Sequence, residues 1–273
     1  MSDKINNPEP VVSVDWLREN LEAPNLVVLD GTIAKVFDES SEQILGARFF
    51  DIKQKFSNVA DPFPSAFPSE AQFQVEARQL GINNDSAIVV YDDKGIYSSA
   101  RVWWLFKAFG YENVAILNGG FPAWNAANYP VEKAQFYQGT SGDFNAELQP
   151  GFMQFFNDVK MASENKSHTI IDARASERYQ CKVPEPKEGL RMGTIPNSVN
   201  LSFTDLLSEG KLKSKADIEK AFQKLVKKDE PIIFSCGSGI TACVLALGAT
   251  ISGYENISVY DGSWTEWGSL VSE

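Results

Sequence analysis

Three cysteines, Cys181, Cys236 and Cys243, and a single histidine, His168, are the residues of this 273-residue chain best suited to covalent chemistry. Cys236 lies in PIIFSCGSGITACVLALGATISG, residues 231–253, which reads as a strand through Phe234, a tight loop, and a helix beginning near Thr241 or Ala242. A cysteine so placed sits at the carboxyl end of a strand and close to a helix N-terminus. There unpaired backbone N–H groups and the positive end of the helix dipole favour a thiolate over a thiol. Gly237 and Gly239 permit positive φ and leave no side chain in the way, so successive N–H groups can turn inward around the sulfur as an anion-binding nest. Ser238 and Thr241 add hydroxyl donors, and Ile240 completes the loop. Cys181 and Cys243 fit the ordinary reading of cysteine as a small buried apolar residue, Cys243 inside the helix and Cys181 on a loop near the same end of the sheet.

What is missing narrows the chemistry. His168 begins the stretch HTIID, which places it at the opposite edge of the sheet from the loop, so a Cys-His protease or acyltransferase is disfavoured. Cysteine phosphatases need an arginine six positions after the cysteine to clamp a phosphoryl group, and that position is Ala242. A thiolate with neither base nor clamp suits attack on a soft, already activated sulfur, which needs no proton abstraction from the nucleophile. The cysteines show no C-x-x-C spacing, so they predict free thiols in a reducing compartment rather than a disulfide framework or a zinc site. No metal and no organic cofactor is implied. The net charge of −11 opposes binding to nucleic acid or anionic membrane surfaces, leaving small molecules or proteins as partners. The start MSDKINNPEP is polar, and no segment approaches 18 uninterrupted apolar residues, so a soluble cytoplasmic protein is expected.

The elements that must position Cys236 occur twice. Residues 88–124 lie alongside residues 232–267 with a single-residue gap, so that Gly95 meets Gly239, Gly110-Tyr111-Glu112-Asn113 meets Gly253-Tyr254-Glu255-Asn256, and Trp124 meets Trp267. Earlier, NLVVLDG at 25–31 answers HTIIDAR at 168–174. Short β-branched runs alternate with longer helix-like segments in each copy, the pattern of βα units. Apolar runs without alternation predict an α/β fold in which each copy is a mainly parallel sheet with helices on both faces. The expected division is a first domain over residues 1–135, a Gly/Ser/Pro-containing linker over 136–152, and a domain carrying the cysteine over 153–273.

CGSGIT after a strand, YDGSW at 260–264, DAR at 172–174, PEP at 184–186 and the duplication together resemble the tandem-domain rhodanese family over nearly the whole chain. The resemblance implies two rhodanese-like domains with the active site between them, a persulfide formed on Cys236, and an inert first copy in which Asp92 takes the place of Cys236. The loop is similar to the 3-mercaptopyruvate branch, CGSG[VI]T, more than to the thiosulfate branch, whose loop is basic. By the same resemblance Arg178 is the substrate-carboxylate arginine. Lys187 replaces a second arginine without supplying its bidentate fork, and Arg191 is a candidate to compensate. Gln43 stands where the branch often has a histidine, and it cannot accept a proton near neutral pH. The implied activity is ping-pong transfer of sulfur from a small-molecule donor to cyanide, a thiol or a thioredoxin-like acceptor. Thiosulfate as donor, a non-catalytic rhodanese-fold binding module, and an arsenate reductase or phosphatase on a related scaffold are the competing readings.

Overall fold

The computed structural model describes residues 3–272. Strand Ala87–Tyr91 is buried along its whole length, and strand Ile232–Ser235 likewise, because each carries apolar side chains on both faces and so must be covered on both. Around the first of these forms a five-stranded sheet in the order Val11–Val12, Val114–Leu117, Ala87–Tyr91, Leu26–Asp30, Arg48–Phe49. Around the second forms another, in the order Val199–Asn200, Thr169–Asp172, Ile232–Ser235, Ile257–Tyr260, Met153–Gln154. Every adjacent pair in both sheets is parallel. Read from its other end, from Met153–Gln154 to Val199–Asn200, the second order places a counterpart opposite each strand of the first. The duplication seen in the sequence is thus a duplication of topology.

The chain divides into two units. The first runs to Asn58, resumes over Phe67–Gln149 and includes Glu209–Leu212; the second takes Val59–Ala66, Pro150–Ser208 and the chain from Lys213 onward. Residues 136–149 thus fall in the first unit, where Phe144 is fully buried and its N–H donates to the Ile82 carbonyl at 3.1 Å.

Each sheet is covered on both faces, as the apolar runs predict. In the first unit Leu17 and Trp124, from helices Val14–Asn20 and Gly120–Ala126, pack with Val28, Val89 and Ala115 on one face. The other face carries an aromatic cluster in which Phe73 of helix Glu70–Gln79 meets Phe106 of helix Ser99–Ala108 at 5.1 Å between centroids. In the second unit Val159, Trp264 and Trp267 cover Ile170 and Ile233. On its opposite face Phe222, from helix Lys215–Gln223, packs edge-on to Phe234. Helix Ala242–Ile251 is apolar nearly all round and buried from Ala242 through Ala249. Such a helix is held by packing on every side rather than by an amphipathic face. Its N-terminus is therefore a rigid support for the loop that precedes it. Among the described residues no helix is long and apolar enough to cross a membrane.

Candidate active site

Cys236 follows the last residue of strand Ile232–Ser235 and is 1 % exposed. Helix Ala242–Ile251 starts six residues later, with Thr241 as its N-cap. The loop between them is pinned from below by Ser263, a fully buried residue in left-handed backbone at φ 49°. Its hydroxyl accepts the N–H of Cys236 at 3.0 Å and of Gly239 at 3.1 Å. It has one proton to give, with the Tyr260 carbonyl at 2.9 Å and Cys236 Sγ at 3.9 Å as the acceptors in reach. Trp264 and Thr265 complete the clamp. The Trp264 N–H donates to the Cys236 carbonyl at 3.0 Å, and the Thr265 N–H and hydroxyl both donate to the Gly237 carbonyl.

With the loop's carbonyls drawn toward Trp264 and Thr265, the N–H groups of Gly237, Ser238, Ile240, Thr241 and Ala242 have no acceptor among the described residues. The Ser238 and Thr241 hydroxyls, both partly exposed, are likewise unengaged. Gly239 takes a positive φ of 72°, as its place in a nest requires, whereas Gly237 does not. Gly237 instead provides space, since Arg178 Nη2 lies 3.1 Å from where a Cβ would stand.

The first unit shows what this loop geometry holds. Asp92 occupies the place of Cys236 and is completely buried. Its carboxylate accepts the N–H of Lys94 at 2.9 Å, of Tyr97 at 2.8 Å and of Ser99 at 2.8 Å, together with the Ser99 hydroxyl at 2.6 Å. In the duplicated alignment Lys94 and Tyr97 are the counterparts of Ser238 and Thr241, whose N–H groups are open. The same loop is thus filled by the chain's own anion in one copy and unfilled over a cysteine in the other. Ser263 also has a telling counterpart, Gly120, at φ 54°. A Cβ on Gly120 would stand 2.4 Å from the Asp92 carbonyl oxygen, so the first copy has no room for the side chain that the second copy uses.

Arg178 comes from the short helix Ser176–Tyr179 and is the one predicted carboxylate-binding cation that the structure sets against the loop. It is held by Glu185, whose two oxygens are divided between Arg178 Nη2 at 2.5 Å and Arg174 Nη1 at 2.7 Å. Arg174 is fully buried and also grips Asp172 and the Gly193 carbonyl. Burial pushes the Asp172 carboxyl above its ordinary range, against the pull of Arg174. For Arg174 burial acts downward, but the pairing with Asp172 and Glu185 outweighs it and the guanidinium titrates above its ordinary value. Such a buried network is stable only because each charge has its partners.

The other predicted residues are distributed differently. Lys187 is exposed and forms no ion pair among the described residues. Arg191 donates through Nε and Nη2 to the Val271 carbonyl and lies 4.7 Å from the Trp264 ring centroid, so it ties the chain's end to helix Ser263–Leu270. Gln43 is buried within the first unit, donating to the Ala47 carbonyl and Glu132 and accepting from the Gln135 N–H. Cys243 is buried in its helix as expected, but Cys181 is not the buried apolar residue its type suggested. It sits exposed at φ 58°, just past the end of its short helix, where the chain reverses before anything can cover it. His168 precedes strand Thr169–Asp172, whose far end pairs with Ser235, so it lies about 13 Å along the strand from the level of the cysteine loop.

Two residues with evident roles at the loop, Ser263 and Glu185, were not singled out by the sequence. For Ser263 the signal was present, because the internal alignment sets it opposite a glycine. For Glu185 it was the PEP stretch, an acid between two prolines.

Comparison with known proteins agrees with this geometry. The rhodanese-like domain matches this chain twice, over residues 13–127 and 156–270. A 3-mercaptopyruvate sulfurtransferase of Escherichia coli is 37 % identical over 267 residues, covering 94 % of both chains. A thiosulfate sulfurtransferase of Rattus norvegicus is 37 % identical over 272 residues, covering 94 % of this chain and 91 % of its own. A crystal structure of an Escherichia coli 3-mercaptopyruvate sulfotransferase superimposes with a TM-score of 0.83 at 35 % identity, covering 94 % of this chain and 99 % of its own. The duplicated parallel sheets, the cysteine loop and the loop's carboxylate-filled twin are therefore those of a family member: this chain belongs to the rhodanese family and carries two rhodanese-like domains in tandem.

Proposed function

We propose that the chain is a sulfurtransferase that carries sulfur as a persulfide on Cys236, taken from 3-mercaptopyruvate. The observation that supports this best is the pair of loops. In Asp92 the carboxylate oxygens stand three bonds from Cα, the same separation as the outer sulfur of a persulfide on Cys236. The N–H groups of Lys94 and Tyr97 hold those oxygens, and their counterparts on Ser238 and Thr241 are open. An anionic outer sulfur would find its donors already in place.

In the first half-reaction the Cys236 thiolate attacks the sulfur of mercaptopyruvate. A sulfur–sulfur bond forms, the carbon–sulfur bond breaks, and its electron pair leaves on the methylene carbon as the enolate of pyruvate, which then takes a proton. In the second, an acceptor thiolate or cyanide attacks the outer sulfur and the Cys236 thiolate departs. Arg178 is assigned to the donor's carboxylate, with the Ser238 and Thr241 hydroxyls and the N–H groups of Gly237, Ser238, Ile240 and Thr241 orienting the transferred sulfur. Lys187 is assigned to add charge, and Arg191, over the Trp264 ring, to steady Trp264 behind the loop.

The two relatives named for different donors are equally similar, so the donor rests on the loop itself. Gly237-Ser238-Gly239-Ile240-Thr241 contains no cation, which suits a donor whose charge is remote from its sulfur better than the dianion thiosulfate. Thiosulfate is the second reading, favoured by the nearness of the Arg178 guanidinium to Gly237. The acceptor proposed is a small thiol or a thioredoxin-like protein. Three free cysteines suit a reducing compartment such as the cytoplasm.

Intact-mass measurement after brief exposure to each donor tests this. The wild-type chain is expected to gain one sulfur atom, faster from mercaptopyruvate than from thiosulfate, and to lose it to cyanide, while Cys236→Ser gains none. Loading of Cys236→Ser, or no loading of the wild type by either donor, would overturn the assignment.

A further inference from the structure

Glu185 has no place in the chemistry just described, yet among the described residues it is the one side-chain hydrogen-bond partner of Arg178. Its side chain is 1 % exposed, whereas that of Arg178 is 26 % exposed. One carboxylate oxygen is anchored on Arg174, which is itself immobilised by Asp172, by the Gly193 carbonyl and by the Trp264 ring at 4.8 Å. The other oxygen reaches Arg178 Nη2, the atom that lies against Gly237. Arg178 Nε is buried without a hydrogen-bond partner, and Nη1 has none among the described residues, so this guanidinium retains donors for a ligand. A long side chain that is otherwise free to sample many rotamers is thereby held in one, through a chain of contacts that ends on the residue following Ser263.

We propose that Glu185 is a positioning residue that holds Arg178 beside the cysteine loop and so sets the enzyme's preference for sulfur donors bearing a carboxylate. This rests on the assignment of Arg178 to the donor's carboxylate. Glu185 acts in two opposed ways. Its negative charge offsets part of the pull of Arg178 on any anion, which discriminates against binding by charge alone. Its fixed geometry removes the conformational entropy that Arg178 would otherwise lose on binding, which favours a planar carboxylate presented to a preset fork. Donors are then selected by shape rather than by charge.

The test is steady-state kinetics of Glu185→Gln with 3-mercaptopyruvate and with mercaptoacetone, the same ketone thiol without its carboxylate. In this variant the amide oxygen can still accept from buried Arg174, but an NH2 group is turned toward Arg178. The expected result is a KM for mercaptopyruvate raised on the order of tenfold, a kcat little changed, and a kcat/KM for mercaptoacetone within about twofold of wild type. Equal losses with both donors would mean that Glu185 only supports the fold, and no loss with either would also overturn the proposal. Glu185→Asp, which keeps the charge but withdraws it by one methylene, is the second variant and is expected to show the same donor-selective rise in KM. Arg178→Gln separates the two levels of the argument. If it leaves the KM for mercaptopyruvate unchanged, the carboxylate assignment fails. If it raises that KM while the Glu185 variants do not, the assignment stands and the positioning role fails. In Arg178→Gln/Glu185→Gln the loss is expected to equal that of Arg178→Gln alone.

Discussion

A serine in left-handed backbone is strained by roughly 1–2 kcal/mol, because its Cβ crowds the following carbonyl. Ser263 accepts that strain and returns two hydrogen bonds to the cysteine loop and a hydroxyl within reach of Cys236 Sγ. Strain of this kind persists where surrounding contacts over-determine it, and it collects at functional sites. Two substitutions separate the contributions. Ser263→Ala keeps the strained backbone and loses the hydroxyl, leaving the Cys236 and Gly239 N–H groups without their acceptor. Ser263→Gly loses the same hydroxyl but relaxes the backbone, so it is expected to be more stable than the alanine variant by about 1 kcal/mol in denaturant titration. Both are expected to lower kcat/KM for sulfur loading, on the order of a hundredfold, since the loop N–H groups are no longer fixed toward the sulfur. Equal stabilities for the two variants would show that the φ of Ser263 carries no strain. The cysteine itself was legible from sequence because its signal is local: a strand, glycines and a helix within a few residues. The contribution of Ser263 comes from 27 residues away through a neighbouring strand, and its positive φ was signalled only by the glycine set opposite it in the other copy.

Helix Ser263–Leu270 carries Ser263, Trp264 and Thr265 at its start, so its N-terminal turn is the floor of the loop. Glu266 lies in the same turn. Burial, with Asp261 and Asp61 nearby, raises its carboxyl above the usual range, although the nearby Tyr260 hydroxyl opposes the shift. The sign follows from linkage. An acid whose folded-state pKa is raised binds more protons folded than unfolded, so stability falls as pH rises from the ordinary carboxylate value through the raised one. Glu266→Gln is therefore expected to gain thermal stability relative to wild type near neutral pH and to lose that advantage near pH 4, the gain being small because the group is partly exposed. A melting series across pH checks this, and an advantage that grows toward acid would contradict it. At the level of elements the sequence was informative where hydrophobic pattern decides the outcome. Ala87–Tyr91 and Ile232–Ser235 read directly as buried parallel strands. It was less so where a polar side chain chooses among partners that no period encodes: Arg191 takes a carbonyl near the chain's end, Glu185 divides itself between two arginines, and Cys181 is stranded on the surface by a reversal of the chain.

Across the whole molecule one topology serves two purposes. Removing the carboxylate of Asp92 takes the acceptor from the buried N–H of Ser99 and the part-buried N–H groups of Lys94 and Tyr97, and an unsatisfied buried donor costs about 1–3 kcal/mol. Asp92→Ala is accordingly expected to destabilise the protein by roughly 2–4 kcal/mol in urea titration, while Cys236 still loads fully wherever the protein remains folded. Loss of loading in the folded variant would assign Asp92 a part in the chemistry. The duplication was readable because the similarity between the copies survives in glycines and aromatics. That one copy is filled and the other open became visible only when the N–H groups could be followed to their acceptors. The filled cradle also fixes a stoichiometry. Asp92 is part of the chain and carries no sulfur on which a persulfide could form, so a chain with two anion cradles is expected to saturate at one sulfur equivalent, with Cys236 as its single port.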